Sequence, residues 1–562
     1  MFALFSVCTA YLGIDLGSQY IKVAESTISG VPRILKDSNN KVSIPSAAAL
    51  KHPIDLLNVP SNLSDFYIKF GAAALPVLKK NPELGHEFLP RVIGRNGSSL
   101  DTSKYLTATE LFSLYILDFL FKYKNEAKIA VAIPSYWTPN QKRALSDSFD
   151  IFRIPIIGIM EDSIAISSLY SATKTHRYTN KSRNVIFVDI GATSVKVSAQ
   201  TFIWYGNYSI VNETANEWSE QVGGYFMAKK IAEKKGISIK KATKLLYQSN
   251  SDSLVQYLGE EMYEITRVIQ TACLKMLDKV QSLPNNTNEI DEVQLIGGAS
   301  LIRFIPDLVK NATKFEKVSR DFNANEAIAL GSVIAAEFKD GISKYPPSRL
   351  LPIPPYTMSV TCNITHAYCY KGTQCRSTIV EEGTNGCSVL KFVADPKEVP
   401  EGVDYVFTQY KLTNISNYTF TSESKGYFEM LIPYTKLNRV VWCTNGNCSL
   451  INSELMGHYH GSFKAIDFLD KYTKEDNNRR QKERLSAQLA EVSGTIEKVF
   501  IQFLPDELQP RIHAIQNAIL NGETASWGVN DLIRGMDDLK LAIKTLLKLR
   551  EEHGKQENNK EL

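Results

Sequence analysis

Beyond its first few positions the chain has no run of about 18 or more apolar residues, which excludes a membrane-spanning helix there. It also has little net charge: 64 basic and 60 acidic side chains leave +4, too small a bias to favour nucleic acid or an anionic membrane surface. Paired C-x-x-C knuckles are missing, which argues against a tetrahedral zinc site. Cysteine is scarce outside one stretch. Cys8 and Cys273 stand apart, whereas Cys362, Cys369, Cys375, Cys387, Cys443 and Cys448 cluster. Clustering without knuckle spacing predicts three disulfides, which persist in an oxidising compartment, with the pairing left open by the spacings.

What is present at the two ends points to the same kind of compartment. Asn559-Lys560-Glu561-Leu562 reads as a variant of the Lys-Asp-Glu-Leu address that retains proteins in the endoplasmic reticulum. Residues 1–10 hold a short apolar run, Phe2 to Val7, ending in Cys8-Thr9-Ala10, and read as a signal peptide cut after Ala10. The run lacks a basic n-region, and the competing reading is a hydrophobic lead-in to the first strand. Asn-X-Ser/Thr acceptors recur from Asn62 to Asn447, consistent with a glycoprotein. The expectation is a protein of the endoplasmic reticulum lumen with no membrane span.

A chain of 562 residues is long enough for about three or four domains. Two segments share one design, an apolar strand, a glycine turn and a second strand: Tyr11 to Ala24 and Asn184 to Ser198. Two copies predict two related lobes within residues 11–345. Between them, Glu110 to Tyr123 and Asn140 to Phe152 have helical patterns, and Lys128 to Ile133 and Ile154 to Ile159 read as buried strands. A proline-rich stretch, 346–355, reads as a linker, because prolines stiffen the chain and forbid helix or central strand.

Short strand signals then fill residues 356–460, and helical stripes fill 461–555. The stripes are Leu485, Leu489, Val492, Ile496, Val499 and Phe503, then Leu508, Ile512, Ile515 and Ile519, then Leu532, Met536, Leu539, Ile543 and Leu546. Residues 556–562 form the tail. The predicted fold is multidomain: an α/β domain of two lobes, a disulfide-rich β-sandwich-like module and a C-terminal α-helical bundle.

The chemistry sits in the two hairpins. Asp15-Leu-Gly17-Ser18-Gln19 and Asp189-Ile-Gly191-Ala192-Thr193-Ser194 each place a carboxylate at a strand end beside a glycine turn. Such a turn lets backbone N–H groups approach phosphate oxygens, and Asp15 and Asp189 are placed to hold Mg²⁺ through its waters. One Asp-x-Gly means little; two copies plus the downstream pair Gly297-Gly298 are far more specific.

These residues resemble the 70-kDa heat-shock chaperones, and the resemblance implies that the two-lobed α/β domain is an actin-like ATPase domain. Gly13 to Tyr20 resembles that family's first phosphate motif, Asp189 to Ser194 its second, Val222-Gly223-Gly224 the glycine pair after it, and Leu295 to Ser300 its adenosine motif; Ile133 to Gln141 through Met160 to Ala165 follows its proline-switch and connecting segment. The resemblance covers about residues 11–340 and is strongest to the large, glucose-regulated, hypoxia-induced branch. It implies ATP or ADP with Mg, held by Gly17, Ser18, Gln19, Tyr20, Gly191, Ala192, Thr193, Gly223, Gly224, Lys244, Gly297 and Gly298, with Asp162 and Asp189 nearest the reaction. It also implies unfolded client proteins and the main lumenal 70-kDa chaperone as partners, the latter through nucleotide exchange.

Departures from the family pattern imply weak or absent hydrolysis. Pro90 stands where the family has a lysine that positions the attacking water, Asp162 replaces a longer glutamate, Asn325 an aspartate, and Leu301 an arginine that would stack on adenine. Lys128 and Lys142, as exposed lysines, read as solvation rather than substitutes. Only about 70 residues separate Gly224 from Gly297, which implies a trimmed adenine cap. Two other classes stay open: a sugar kinase of the same fold, for which no catalytic base is identifiable, and a glycoprotein whose ATPase lobe is only a scaffold.

Overall fold

The computed structural model describes residues 10–36, 40–51, 68–95, 106–120, 127–152, 154, 156–174, 182–206, 208–249, 251–280, 289–346, 348–351, 353–361, 365–371, 378–382, 389–399, 406–413, 425–431, 436–444, 447–455, 481–482 and 484–558. The chain divides into two units, Met1–Pro53 with Ile68–His460, and Ile54–Tyr67 with Gly461–Leu562.

In the first lobe, β1 (Ala10–Leu16) and β2 (Tyr20–Glu25) make an antiparallel hairpin. Strand β1 pairs in parallel with β3 (Ala127–Ile133), and β3 with β4 (Ile156–Glu161). Tyr11, Leu12 and Ile14 are all buried, as a strand covered on both faces requires. The helices expected on either side of β3 are α1 (Ala108–Leu120) and α2 (Pro139–Asp150). Helix α2 starts where the sequence supplies a capping box. The Thr138 hydroxyl accepts from Gln141 N at 3.3 Å, and the Gln141 side chain accepts from Thr138 N at 3.2 Å.

The second lobe repeats the hairpin with β5 (Arg183–Ile190) and β6 (Ser194–Trp204), extends it with β7 (Ser209–Glu220), and sets β8 (Glu292–Ile296) parallel to β5. Helices α3 (Asp162–Lys174) and α7 (Ala327–Lys339) lie back to back; α4 (Gly224–Lys235), α5 (Ile239–Gln248) and α6 (Ser251–Val280, kinked at Leu258) span the interval that the sequence marks as short. Glycine is obligatory where α3 meets α7, since a Cβ on Gly331 would lie 2.0 Å from the Ala165 carbonyl oxygen. One core joins β1, β3 and β5 to α3 and α7; another fills the space between β5, β6, β8 and helices α4 to α6.

The proline-rich stretch contains a strand. Strand β9 (Ser348–Leu351) pairs in parallel with the outer edge of β7, and Ile353 behind it is buried. The prolines flank β9, as an edge strand tolerates. Beyond it run antiparallel strands, among them β10 (Lys436–Thr444) and β11 (Asn447–Leu455). Of the clustered cysteines, Cys362, Cys375 and Cys387 lie outside the described residues. Cys369, Cys443 and Cys448 lie in strands, with Cys443 and Cys448 opposed across β10 and β11. Cys273 is buried in the second lobe, its thiol pushed up to about 12 by burial.

In the second unit, residues 484–494 are helical, followed by a turn at Lys498–Ile501, then α8 (Gln509–Leu520) and α9 (Val529–Asn558). Leu489, Ile512, Leu532 and Leu539 meet in one apolar cluster. The first stripe does not continue as read: the helix stops at Gly494, and Phe503 is left 58% exposed. Among the described residues no helix is long and apolar enough to cross a membrane.

Candidate nucleotide cleft

The two glycine turns face one cavity of about 1160 Å³. Thr193 Oγ1 donates to Ser18 Oγ at 2.6 Å, tying the turn of the second hairpin to that of the first. Ser46 Oγ donates to the Gly17 carbonyl at 3.0 Å and fixes the first turn from behind. Of the residues expected at the nucleotide, Asp15, Gly17, Ser18, Gln19, Tyr20, Asp162, Asp189, Gly191, Ala192, Gly224, Gly297 and Gly298 line the cavity, as do Leu301 and Asn325. Gly297 has φ +80°, and a Cβ there would fall 2.2 Å from Asp189 Oδ1, so only glycine lets that strand end close on the aspartate.

Four expected positions fall elsewhere. Thr193 is buried and serves as the tie between turns. Gly223 packs beneath the second turn, where a Cβ would lie 2.7 Å from Ala192 C; the next two N–H groups are taken up by that turn, Gly224 N by Gly191 O at 3.0 Å and Tyr225 N by Ala192 O at 2.8 Å. Lys244 is exposed on α5 and outside the cavity. Thr243, Tyr247 and Ile239 line it instead, because positions four apart share a helix face and 244 is turned a step away. Pro90 is buried in the single turn Leu89–Val92 and does not line the cavity, whereas the preceding Glu87 and Phe88 do.

The electrostatics turn on two lysines that the motif reading passed over. Lys22 Nζ lies 3.1 Å from Asp15 Oδ2; Lys196 Nζ lies 2.6 Å from Asp189 Oδ2 and also pairs with Asp162. Each lysine is the direct cross-strand partner of its aspartate, Asp15 opposite Lys22 and Asp189 opposite Lys196, so both side chains leave the sheet on one face. The signal was in the sequence: a lysine seven residues after the aspartate in both repeats. Burial raises the Asp162 pKa, and Asp189 adds to the rise while Lys196 opposes it. Burial works to lower the Lys196 pKa, but the two carboxylates outweigh it and hold the ammonium well above the ordinary lysine value.

This arrangement sets ammonium groups against the carboxylates expected at the Mg²⁺ site. Both carboxylates assigned to the hydrated metal are neutralised by ammonium groups, and among the described residues no three His, Cys, Asp or Glu side chains converge as a metal-binding group. With Lys36, Lys41 and Glu87 counted, four acidic and four basic side chains line the cavity, whose wall is formally neutral. The reading of Lys142 is corrected. It is buried and pairs with Glu161 at 3.2 Å, the two side chains being 6% and 2% exposed, and so is no solvated lysine. Lys128 is partly exposed and pairs with Asp340 at 2.5 Å.

A cleft between two lobes, each carrying a strand–glycine turn–strand hairpin, is the arrangement of the actin-like ATPase fold as found in the 70-kDa heat-shock family. The family model described as Hsp70 protein matches residues 121–269 and 256–391. Similar curated proteins are hypoxia up-regulated protein 1 of Danio rerio (22% identical over 404 residues, 58% of this chain and 40% of that protein) and that of Xenopus laevis (21% over 414 residues, 60% and 62%). The 97 kDa heat shock protein of Strongylocentrotus purpuratus is 22% identical over 292 residues, 42% of this chain and 32% of that protein. The chain is thus similar to the 70-kDa heat-shock proteins, and the resemblance to their large branch is borne out. The matched part spans 40% to 62% of the length of the two hypoxia up-regulated proteins. The family match includes the second turn and both glycine pairs; the first turn precedes it and is recognised by its shared register.

Proposed function

We propose that the chain is a chaperone or co-chaperone of the 70-kDa heat-shock type that binds ATP or ADP in this cleft and hydrolyses it slowly or not at all. The observation that carries the reading is the pair of glycine turns tied by Thr193 and Ser18 across one cavity of nucleotide size. Slow hydrolysis follows from what faces the phosphates. Asp162 is engaged by Lys196, and no lysine is supplied from position 90. Loss of one preorganised charge costs about 10² to 10³ in turnover, whereas affinity is spread over many contacts.

The relatives' names, hypoxia up-regulated and heat shock, support a stress role. The sequons support the endoplasmic reticulum lumen, where the main lumenal 70-kDa chaperone would be the partner for nucleotide exchange and the strands and helices after the cleft would hold unfolded clients. The test uses the full, oxidised chain. Calorimetric titration with ATP and ADP should show saturable binding, and single-turnover assays should show little hydrolysis. The chain should also speed ADP release from the partner chaperone or suppress aggregation of a denatured client. Hydrolysis at ordinary chaperone rates would overturn the slow-ATPase reading, and absence of nucleotide binding would leave the scaffold reading.

A further inference from the structure

The carboxylates that a metal would need already have cations of their own. We propose that the cleft takes a nucleoside polyphosphate without a divalent metal ion, with Lys22 and Lys196 supplying the positive charge that the ion would bring; this rests on the nucleotide reading above. Three observations converge. First, both lysines are delivered by backbone register: the residue directly opposite each turn aspartate is a lysine, and the same pairing occurs in both lobes. Second, both lysines line the cavity beside the glycine turns. Lys22 Nζ is so close to the first turn that a Cβ on Gly17 would lie 3.1 Å from it.

Third, the aspartates beside the turns are already paired with ammonium groups. Hard cations are held by carboxylate oxygens, and here Asp15 faces Lys22 while Asp162 and Asp189 share Lys196. A divalent ion at these oxygens would sit within ion-pair distance of a lysine ammonium, and like charges at that range repel strongly. An ammonium has three donors; Asp162 and Asp189 occupy two on Lys196, leaving one for a phosphate oxygen.

The test is calorimetric titration of the full chain with ATP and with ADP, once in EDTA and once in excess MgCl₂. The expected result is the same affinity in both buffers. Lys22→Met and Lys196→Met should each weaken binding in EDTA by about tenfold or more, the loss of a charged hydrogen bond, and should make added Mg²⁺ improve it. If Lys196→Met does not fold, Lys196→Arg keeps the charge and should keep binding in EDTA. Binding by the unmodified chain in MgCl₂ alone would overturn this inference and leave the nucleotide reading standing. Binding in neither buffer would overturn both.

Discussion

The hairpins β1–β2 and β5–β6 set an aspartate against a lysine at the same register, but their surroundings differ. Lys22 answers one carboxylate at the mouth of the first turn, while Lys196 is clamped between Asp162 and Asp189, with Tyr136 packed nearby. Register alone delivers the pair. What the pair is worth depends on how many groups a third element, here the start of α3, adds around it. The first pair can be spared at small cost; the second holds a strand, its neighbour and a helix terminus together.

The sharpest way to break this comparison is to remove each ammonium in turn. Lys196→Met leaves two buried carboxylates facing each other and should destabilise by about 3–5 kcal/mol, as when one partner of a buried ion pair is lost. Lys22→Met should cost about 1.5 kcal/mol, the scale of one charged hydrogen bond. Urea unfolding followed by tryptophan fluorescence measures both, and equal losses would mean that the two hairpins are energetically alike after all.

Next in size is a pH effect confined to the second lobe. Glu213, on β7, is pushed up to about 8, chiefly by burial and then by Glu161, against bonds from Ile353 N (2.9 Å) and Ser198 Oγ (2.9 Å). A carboxyl raised in the folded state contributes stability that is full below its unfolded value near 4.5 and lost as pH rises through about 8. Exchange of the Ile353 amide hydrogen, corrected for the intrinsic pH dependence, should therefore lose protection between those limits. Glu213→Gln should flatten the profile.

Smaller still is the tie between the turns. Thr193→Val removes the bond to Ser18, worth about 1 kcal/mol, and should weaken ATP by several-fold without changing its dependence on Mg²⁺. Lys244→Ala should leave ATP affinity within about twofold, since the loss of a distant exposed charge is worth a few tenths of a kcal/mol. A large effect there would return the residue to the site.

The contrast also shows what a linear sequence can display. The hairpins were legible because strand alternation, a glycine turn and a carboxylate recur within one short window, and such local patterns fix register. Lys22 and Lys196 lie in the same window, but a strand lysine gains a role only when register sets it opposite its aspartate. Lys142 was not legible: its partner Glu161 arrives at the end of a separate strand, and a helical lysine seen alone resembles any solvated one. Strand β9 was hidden by its prolines, which bar a central strand but permit an edge. Phe503 kept the helical period past Gly494, where the helix itself stops.

The contact of Gly331 with Ala165 ties two helices that both begin at the cavity. Where two helices touch backbone to backbone, no side chain lies between them to yield, so a change at one helix is passed directly to the other. Helix α3 begins at Asp162 and α7 just after Asn325, both on the cavity wall. A single methyl group at Gly331 would force the two helices apart and carry that displacement to both residues on the cavity wall.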